Sequence, residues 1–328
     1  MYGNVEVQLN RVIGISDLVQ FNEKKASKHE ARKDAIKEIE REKGKGATKH
    51  EIALKTGIHN DGTYKNYYAT MRELAHFMRE NNCKDLEKLS NNMVEKFLLS
   101  KIEMGVKLET YQNICSVVTK LEGALNKFAE EVGSQKTYCF DKAKNFLQER
   151  ANTELEKGYE ARCYERPKEI IEGLQNEKYQ MVASIQYEGG ARINEASLID
   201  GKRLGGIIER EGKEYGVIVL QRGDTKGGDP RDLYISKESY SRIADYVAEN
   251  GKLHLSSSEK QDYRDAIKDI SEKTEQRYGG SHGFRHNFAQ ERVAELQEAG
   301  HGYSVALTMV SREMGHYRED ITEHYLKT

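Results

Sequence analysis

Proline is scarce in this sequence and tryptophan is absent. Among 328 residues there are two prolines, Pro167 and Pro230, and no tryptophan. Because proline breaks the interior of a helix, its scarcity favours long helices, and so do the many Glu, Lys and Ala residues. We therefore expect a mainly α protein.

Cysteine pairs and long apolar runs are also missing. The sequence has no Cys-x-x-Cys pair, and the spread of its cysteines suits neither a zinc ribbon nor a disulfide framework. No apolar run approaches the length of a membrane span, and the N-terminus lacks a signal-peptide pattern. These absences predict a cytoplasmic protein with no membrane partner, whose free thiols are Cys83, Cys115, Cys139 and Cys163.

An excess of positive charge is the third absence. The formal net charge is −2, whereas many DNA-binding domains are strongly basic. A nucleic-acid partner would require a basic inner face that is offset by an acidic outer face. Residues 21–56 carry nine Lys and two Arg against seven acidic residues, a local net charge of +4. A charged helix that breaks at Gly44 and Gly46 is expected there, either solvated or serving as an arm that contacts DNA or a partner.

The length allows two domains and an extension. We assign residues 1–57 to a charged N-terminal extension or arm, and residues 58–150 to a helical domain with its linker. Ser90 is a suitable N-cap within that domain. One apolar stripe at helical spacing in the same region consists of Tyr67, Met71, Leu74 and Met78.

The second half of the chain mixes helices with a short β element. The stretch 133–166 is polar and less periodic, and Pro167 then opens a helix at its first turn. Two strands, beginning at Tyr215 and Leu233, are separated by a turn-rich segment. A mixed α/β domain is therefore expected over residues 165–328.

Cleavage of a phosphodiester requires a nucleophile, an acid and cations near the phosphate. Nucleases and transposases often hold Mg²⁺ with carboxylates, but no tight, motif-like set of acidic residues occurs here, so a metal-dependent nuclease stays only an alternative. Arginine can clamp a phosphate instead, because its planar fork matches two phosphate oxygens and keeps its charge.

Arg192 is the first candidate for such a clamp. Gly189 and Gly190 end one predicted helix, and Arg192 begins the next, where backbone N–H groups also favour an anion. Glu195 follows one turn later and could orient the guanidinium. By itself, an arginine such as Arg192 is more often part of a surface salt bridge than a catalytic group.

A histidine and a second arginine come from Ser281-His-Gly-Phe-Arg-His. His282 and Arg285 are three residues apart, so on a helix they share a face. By the same argument His286 points elsewhere, and Ser281 is a plausible N-cap. The spacing is common by chance.

The last candidates are His316, Tyr325 and a hairpin lysine. His316 follows a helix break at Gly315, and Tyr325 lies nine residues beyond His316. An isolated tyrosine there would more simply be a half-buried aromatic. Lys226, between the two predicted strands, could protonate a leaving oxygen. Its rivals for that role are Lys202, Lys213 and Arg222.

Taken in order, the motifs are A-R-x-x-E, a hairpin lysine, H-x-x-R, and G-H with a tyrosine nine residues on. This order and spacing resemble the tyrosine recombinase (phage integrase) family. The resemblance covers residues 170–328 by motif. The helical region before it is similar to the family's core-binding (SAM-like) domain. Three residues follow Tyr325 here, where family members often carry a further C-terminal helix.

The resemblance implies a reaction and a site. Tyr325 would form a 3′-phosphotyrosyl bond with double-stranded DNA and release a 5′-hydroxyl, without metal, ATP or any other cofactor. Arg192 and Arg285 would hold the non-bridging oxygens. His282 would assist proton transfer, Lys226 would protonate the 5′ oxygen and His316 would complete the phosphate pocket.

The resemblance also implies a homotetramer on two DNA sites in a prokaryotic or phage nucleoid, with accessory DNA-bending proteins as further candidate partners. Integration or excision of a mobile element is the first expectation. Alternatives are Xer-like dimer resolution, type IB topoisomerase-like relaxation, and an inactive DNA-binding protein.

Overall fold

The computed structural model describes residues 1, 3–20, 28–158, 162–210, 212–225, 230–316 and 319–327. The chain divides into two compact units, Met1–Gly158 and Tyr159–Thr328, each with its own buried core. Within the described ranges helices dominate, and two small antiparallel sheets lie in the second unit. The predicted fold class, mainly α with a small β-sheet, is confirmed.

The described part of the first unit is helical. Its helices are α1 (Val5–Ile15), α2 (Lys28–Lys43), α3 (Lys49–Lys55), α4 (Asp61–Glu80), α5 (Asn91–Glu103), α6 (Leu108–Glu131) and α7 (Asp141–Glu154). The predicted apolar stripe lies on α4, where Met71, Leu74 and Met78 are buried. Ser90 caps α5 as predicted, because its hydroxyl accepts a hydrogen bond from the backbone N–H of Met93.

The start of the chain belongs to the core of the first unit. The sequence predicts a separate extension over residues 1–57, whereas α1 packs against α4 and α6 and buries Leu9 and Val12 completely. The predicted extension differs from the structure because the dense charge of residues 21–56 is a stronger signal in the sequence than the short apolar pattern of α1. The charged helix itself is present as α2, which ends at Lys43 just before the expected break.

Helix α7 lies in a stretch that the sequence analysis treats as polar and weakly periodic. It packs against α5 and buries Ala143, Leu147 and Ala151, which recur every four residues. Two of these three are small alanines, so their periodicity is weak in the sequence. The boundary between the two units therefore follows α7, after Gly158.

The second unit combines helices and short strands. Its helices are α8 (Pro167–Gly173), α9 (Glu177–Glu188), α10 (Ile193–Ala196), α11 (Lys237–Asn250), α12 (Ser257–Lys273), α13 (Gly283–Glu298), α14 (Tyr303–Glu313) and α15 (Glu319–Glu323). Its strands are β1 (Leu198–Asp200), β2 (Leu204–Arg210), β3 (Lys213–Leu220), β4 (Arg231–Ser236) and β5 (Lys252–His254). Pro167 occupies the first turn of α8, as predicted.

The sheets agree with the prediction in part. Strands β3 and β4 contain the two predicted segments and pair antiparallel, with Val217 opposite Tyr234. Strand β2 also pairs with β3, and β1 pairs with β5. The sequence analysis missed β2 because it contains Gly205 and Gly206 and is largely exposed.

Two buried clusters organise the second unit. The larger one surrounds α9 and includes residues of β3, β4 and α11. The smaller one joins α13 and α14 to the end of the chain and contains Val293, Val310, Met314 and Tyr325. Among the residues that the structure describes, no helix has both the length and the apolar character to cross a membrane.

Candidate active site

Arg192 lies at the start of α10, directly after a glycine turn. Gly190 has a φ of +62°, and a Cβ there would collide with the ring of Phe288, so the turn requires glycine. The backbone N–H of Arg192 donates to Oε2 of Glu195 at 2.7 Å, and its Nη1 donates to Oε1 at 2.8 Å. Glu195 therefore holds the Arg192 guanidinium.

Arg231, which the sequence analysis does not single out, also binds Glu195. Its Nη2 donates to Oε2 of Glu195 at 2.6 Å and its Nη1 lies 3.3 Å from Oε1. Arg231 is the first residue of β4. Its sequence neighbourhood is a turn rich in Gly and Asp, which carries no signal for a buried arginine.

Arg285 is fully buried at the start of α13. Its Nη1 donates to the carbonyl of Gly190, its Nη2 donates to the carbonyl of Met314 at 2.6 Å, and the same Nη2 lies 3.0 Å from Nε2 of His316. Its Nε, also buried, has no hydrogen-bond partner among the described residues. Burial lowers the pKa of Arg285 to about 10, so the guanidinium stays charged at neutral pH.

His316 is held in position by the turn at Gly315, which follows the end of α14. Gly315 has a φ of +66°, and the backbone N–H of His316 donates to the carbonyl of Ser311 at 2.7 Å. The ring Nδ1 lies 3.2 Å from the hydroxyl of Thr322, which leaves Nε2 towards Arg285.

Tyr325 completes the cluster and is 8% exposed. Its hydroxyl lies 2.9 Å from Nε2 of His282. The guanidinium carbon of Arg285 lies 5.5 Å from the centre of its ring, and the ring of His316 lies 5.3 Å away. The structure thus places a phenol hydroxyl beside an imidazole nitrogen and a buried cation.

His286 also contacts Tyr325, contrary to the expectation that it points elsewhere. The ring centres of His286 and Tyr325 are 4.5 Å apart, and those of His286 and His282 are 5.8 Å apart. The expectation was wrong because residues four apart share a helix face as residues three apart do. The i, i+4 relation between His282 and His286 was the signal that could have found it.

The three histidines around Tyr325 are neutral near neutral pH. Burial, followed by the charge of Arg285, lowers the pKa of His282 and of His316 to about 3. Burial, followed by the charge of Arg162, lowers the pKa of His286 to about 4. The positive charge of the site therefore comes from arginines, and Nε2 of neutral His282 can accept a hydrogen bond from the phenol hydroxyl.

Lys226 lies outside the described residues. The rival candidates Lys202, Lys213 and Arg222 are exposed. The other predicted site residues lie together in the structure. They are Arg192, Glu195, His282, Arg285, His316 and Tyr325.

One group of side chains in the described residues has the spacing of metal ligands, and it lies in the first unit. It consists of His50, Glu122 and Asp141. The ammonium of Lys144 lies 2.9 Å from Asp141 and 3.9 Å from Glu122, so one cation already lies beside both carboxylates. The cluster acts as an ion-pair network between α3, α6 and α7.

Comparison with known proteins identifies the fold. No protein-family model and no curated protein sequence matches the chain. The XerH site-specific recombinase bound to its difH substrate, in a pre-cleavage complex, has a TM-score of 0.58 at 16% identity, over 99% of this chain and 93% of that chain. A lambda integrase dimer bound to a COC′ core site has a TM-score of 0.55 at 13% identity, over 92% of this chain and 77% of that one.

A third structure extends the comparison. The Tn1549 transposon integrase in complex with a circular intermediate DNA has a TM-score of 0.51 at 15% identity, over 90% of this chain and 94% of that chain. The chain therefore has the fold of these site-specific recombinases and integrases, the fold expected from the resemblance of its motifs to the tyrosine recombinases.

Proposed function

We propose that the protein is a site-specific tyrosine recombinase that cleaves and rejoins DNA through a covalent bond to Tyr325. The observation that carries the proposal is the 2.9 Å contact between the Tyr325 hydroxyl and Nε2 of His282, beside the buried cation of Arg285. A nucleophile, a proton acceptor and a phosphate-binding group meet there. The shared fold supports the proposal, because its solved examples include recombinases bound to DNA.

In the proposed cleavage step, the Tyr325 oxygen attacks the scissile phosphorus and the bond to the 5′ oxygen breaks. The phenolic proton passes to neutral His282, and Lys226 gives a proton to the departing 5′ oxygen. The products are a 3′-phosphotyrosyl bond and a 5′-hydroxyl. Rejoining reverses these steps with the hydroxyl of a partner strand, so neither ATP nor a metal is required.

Charge that develops on the phosphate is stabilised by fixed donors. Arg192 and Arg285 hold the non-bridging oxygens, and His316 adds a hydrogen bond. Arg285 is fully buried under Tyr325 and bonded to two carbonyls, so the phosphate reaches it only after Tyr325 shifts. We therefore expect DNA binding to move the short helix α15.

The two units take different parts in this proposal. The first unit acts as the core-binding domain on duplex DNA, and the second acts as the catalytic domain. A homotetramer on two sites is proposed because a lambda integrase tetramer bound to a Holliday junction shares the fold, with a TM-score of 0.53 at 13% identity. Integration or excision of a mobile element in the cytoplasm is the proposed role, with dimer resolution as the second candidate.

Covalent capture on denaturing gels tests the proposal. The protein is incubated in EDTA with duplexes tiled across the DNA that flanks its own gene. Each duplex is nicked so that the released fragment, with its 5′-hydroxyl, is too short to stay paired. We expect an adduct that survives denaturation and is lost in Tyr325→Phe. Tyr303→Phe, at an exposed tyrosine of the same unit, is the matched control.

Three results would contradict the proposal. One is cleavage that persists in Tyr325→Phe. Another is binding of the duplexes without any adduct. The third is cleavage only with Mg²⁺, which would indicate a metal-dependent nuclease. Exchange of strands between two captured duplexes would separate a recombinase from a type IB topoisomerase-like enzyme.

A further inference from the structure

The carboxylate of Glu195 is held between two arginines rather than one. Arg192 donates to it from its backbone N–H and from Nη1. Arg231 donates to Oε2 at 2.6 Å and lies 3.3 Å from Oε1, so it approaches with both prongs of its guanidinium. Each oxygen of Glu195 therefore contacts both arginines, and the carboxylate bridges them.

Burial makes the three charges depend on one another. The side chains of Glu195, Arg231 and Arg192 are 1%, 9% and 22% exposed. Burial alone would raise the pKa of Glu195, but the charge of Arg231, followed by its hydrogen bond, opposes this and keeps the pKa below its ordinary value. Removing one cation leaves a buried carboxylate under-compensated, and the remaining groups must then rearrange.

Arg231 also touches the turn that positions His316. A Cβ added to Gly315 would lie 2.5 Å from Nη1 of Arg231, so the guanidinium packs directly on the backbone of that turn. The next residue, His316, is the one that contacts Arg285. One side chain thus supports both the Arg192 side and the His316 side of the site.

The backbone of Arg231 is held by a strand, because Arg231 is the first residue of β4. Since β4 pairs with β3 along its whole length, the backbone of Arg231 is held in the sheet opposite Leu220. Its guanidinium therefore extends from a rigid strand.

We propose that Arg231 is a positioning residue for the DNA strand transfer, which acts through Glu195 to fix Arg192 and through contact with Gly315 to fix the turn of His316. The inference rests on the function proposed above. Arg231 itself does not contact the phosphate. When Arg231 is lost, Arg192 keeps its charge, but its guanidinium moves away from the position that binds the phosphate.

The test measures single-turnover formation of the covalent adduct, with DNA affinity and melting temperature measured on the same proteins. We expect Arg231→Gln to bind DNA as the wild type does and to cleave on the order of 100-fold more slowly, the loss that a misplacement of about 1 Å produces. Arg231→Lys keeps the charge without the two-pronged fork and should give an intermediate rate. If Arg231→Gln does not fold, the cleavage rate of Arg231→Lys tests the inference instead.

The double variant Arg231→Gln/Glu195→Gln distinguishes action through Glu195 from an independent effect. If Arg231 acts through Glu195, the double variant is no slower than the slower single variant. Arg292→Gln is the matched control, because Arg292 is also a partly buried arginine, paired with Glu313 in the same unit. It should cleave at the wild-type rate.

Each alternative outcome has a distinct meaning. Wild-type cleavage by Arg231→Gln, or an equal loss in Arg292→Gln, would overturn the inference. The inference would also be overturned if the two single losses of cleavage rate multiplied in the double variant, or if weaker DNA binding explained the whole loss of rate. If the wild type forms no adduct with any duplex, the proposed function fails and the inference fails with it.

Discussion

The environment of Tyr325 depends on histidines that are neutral because they are buried. His282, His286 and His316 surround the phenol, and burial lowers the pKa of each well below the ordinary 6.5. A protonated histidine here would be repelled by the positive charge of Arg285 or Arg162. Neutral imidazoles avoid that repulsion, and the proposed mechanism assigns the proton of Tyr325 to His282.

This burial predicts a loss of stability in mild acid. The unfolded chain binds a proton at His286 near pH 6.5, whereas the folded protein binds it only near pH 4. The contribution is therefore complete above pH 6.5 and is lost as the pH falls towards 4. His286→Phe keeps a ring against Tyr325 and removes the titration.

Urea unfolding of the wild type and of His286→Phe, measured between pH 6 and pH 5, tests this prediction. We expect the free energy of unfolding of the wild type to fall more steeply, by about 1.4 kcal/mol per pH unit. His301→Gln, at an exposed histidine, is the control and should follow the wild type. Parallel curves for the wild type and His286→Phe would show that folding does not lower the pKa of His286.

At the scale of elements, the turn at Gly315 connects α14 to the site. Gly315 and Gly251 both have positive φ values, +66° and +78°, but only Gly315 packs against a side chain, that of Arg231. Gly251→Ala should therefore cost only backbone strain, about 1–2 kcal/mol of unfolding free energy. Gly315→Ala should cost this and also slow adduct formation, because it displaces Arg231. Equal cleavage rates for the two variants would contradict the contact.

Helix α7 offers a second prediction at this scale, because it carries a buried and an exposed apolar residue side by side. Leu147 is 3% exposed and Phe146 is 72% exposed. Leu147→Ala should lower the unfolding free energy of the protein by about 2–5 kcal/mol, as cavity-forming substitutions do. Phe146→Ala should change it by less than about 0.5 kcal/mol. Circular dichroism in urea measures both, and similar effects would exclude α7 from the core.

At the scale of the whole molecule, the net charge of −2 has to be reconciled with a polyanionic partner. Affinity that comes from local clusters of Lys and Arg still releases counterions from DNA, whatever the total charge. We therefore expect affinity for an arbitrary duplex to fall by roughly 10³-fold or more between 50 and 200 mM salt. Fluorescence anisotropy measures this, and an affinity that does not change with salt would contradict phosphate-based binding.

The sequence by itself determined the fold class, several helices and the two central strands, and it predicted the residues of the candidate site. These follow from local rules: apolar periodicity in α4, Ser90 as a cap, Pro167 in a first turn, and glycines before Arg192 and His316. Motif order then connected segments that are far apart in the chain. Each of these local patterns spans only a few residues, so it can be recognised without knowing how the chain packs.

Only the tertiary structure decided which groups meet. Arg231 and His286 join the site because β4 lies beside α10 and because the chain end crosses the start of α13. Helices α1 and α7 pack into the first unit through apolar faces that are hard to recognise in the sequence, because the face of α1 is short and the face of α7 consists largely of alanine. Burial is a property of the packed molecule. It decided that Arg285 is covered and that the histidines are neutral, which no spacing of residues could reveal.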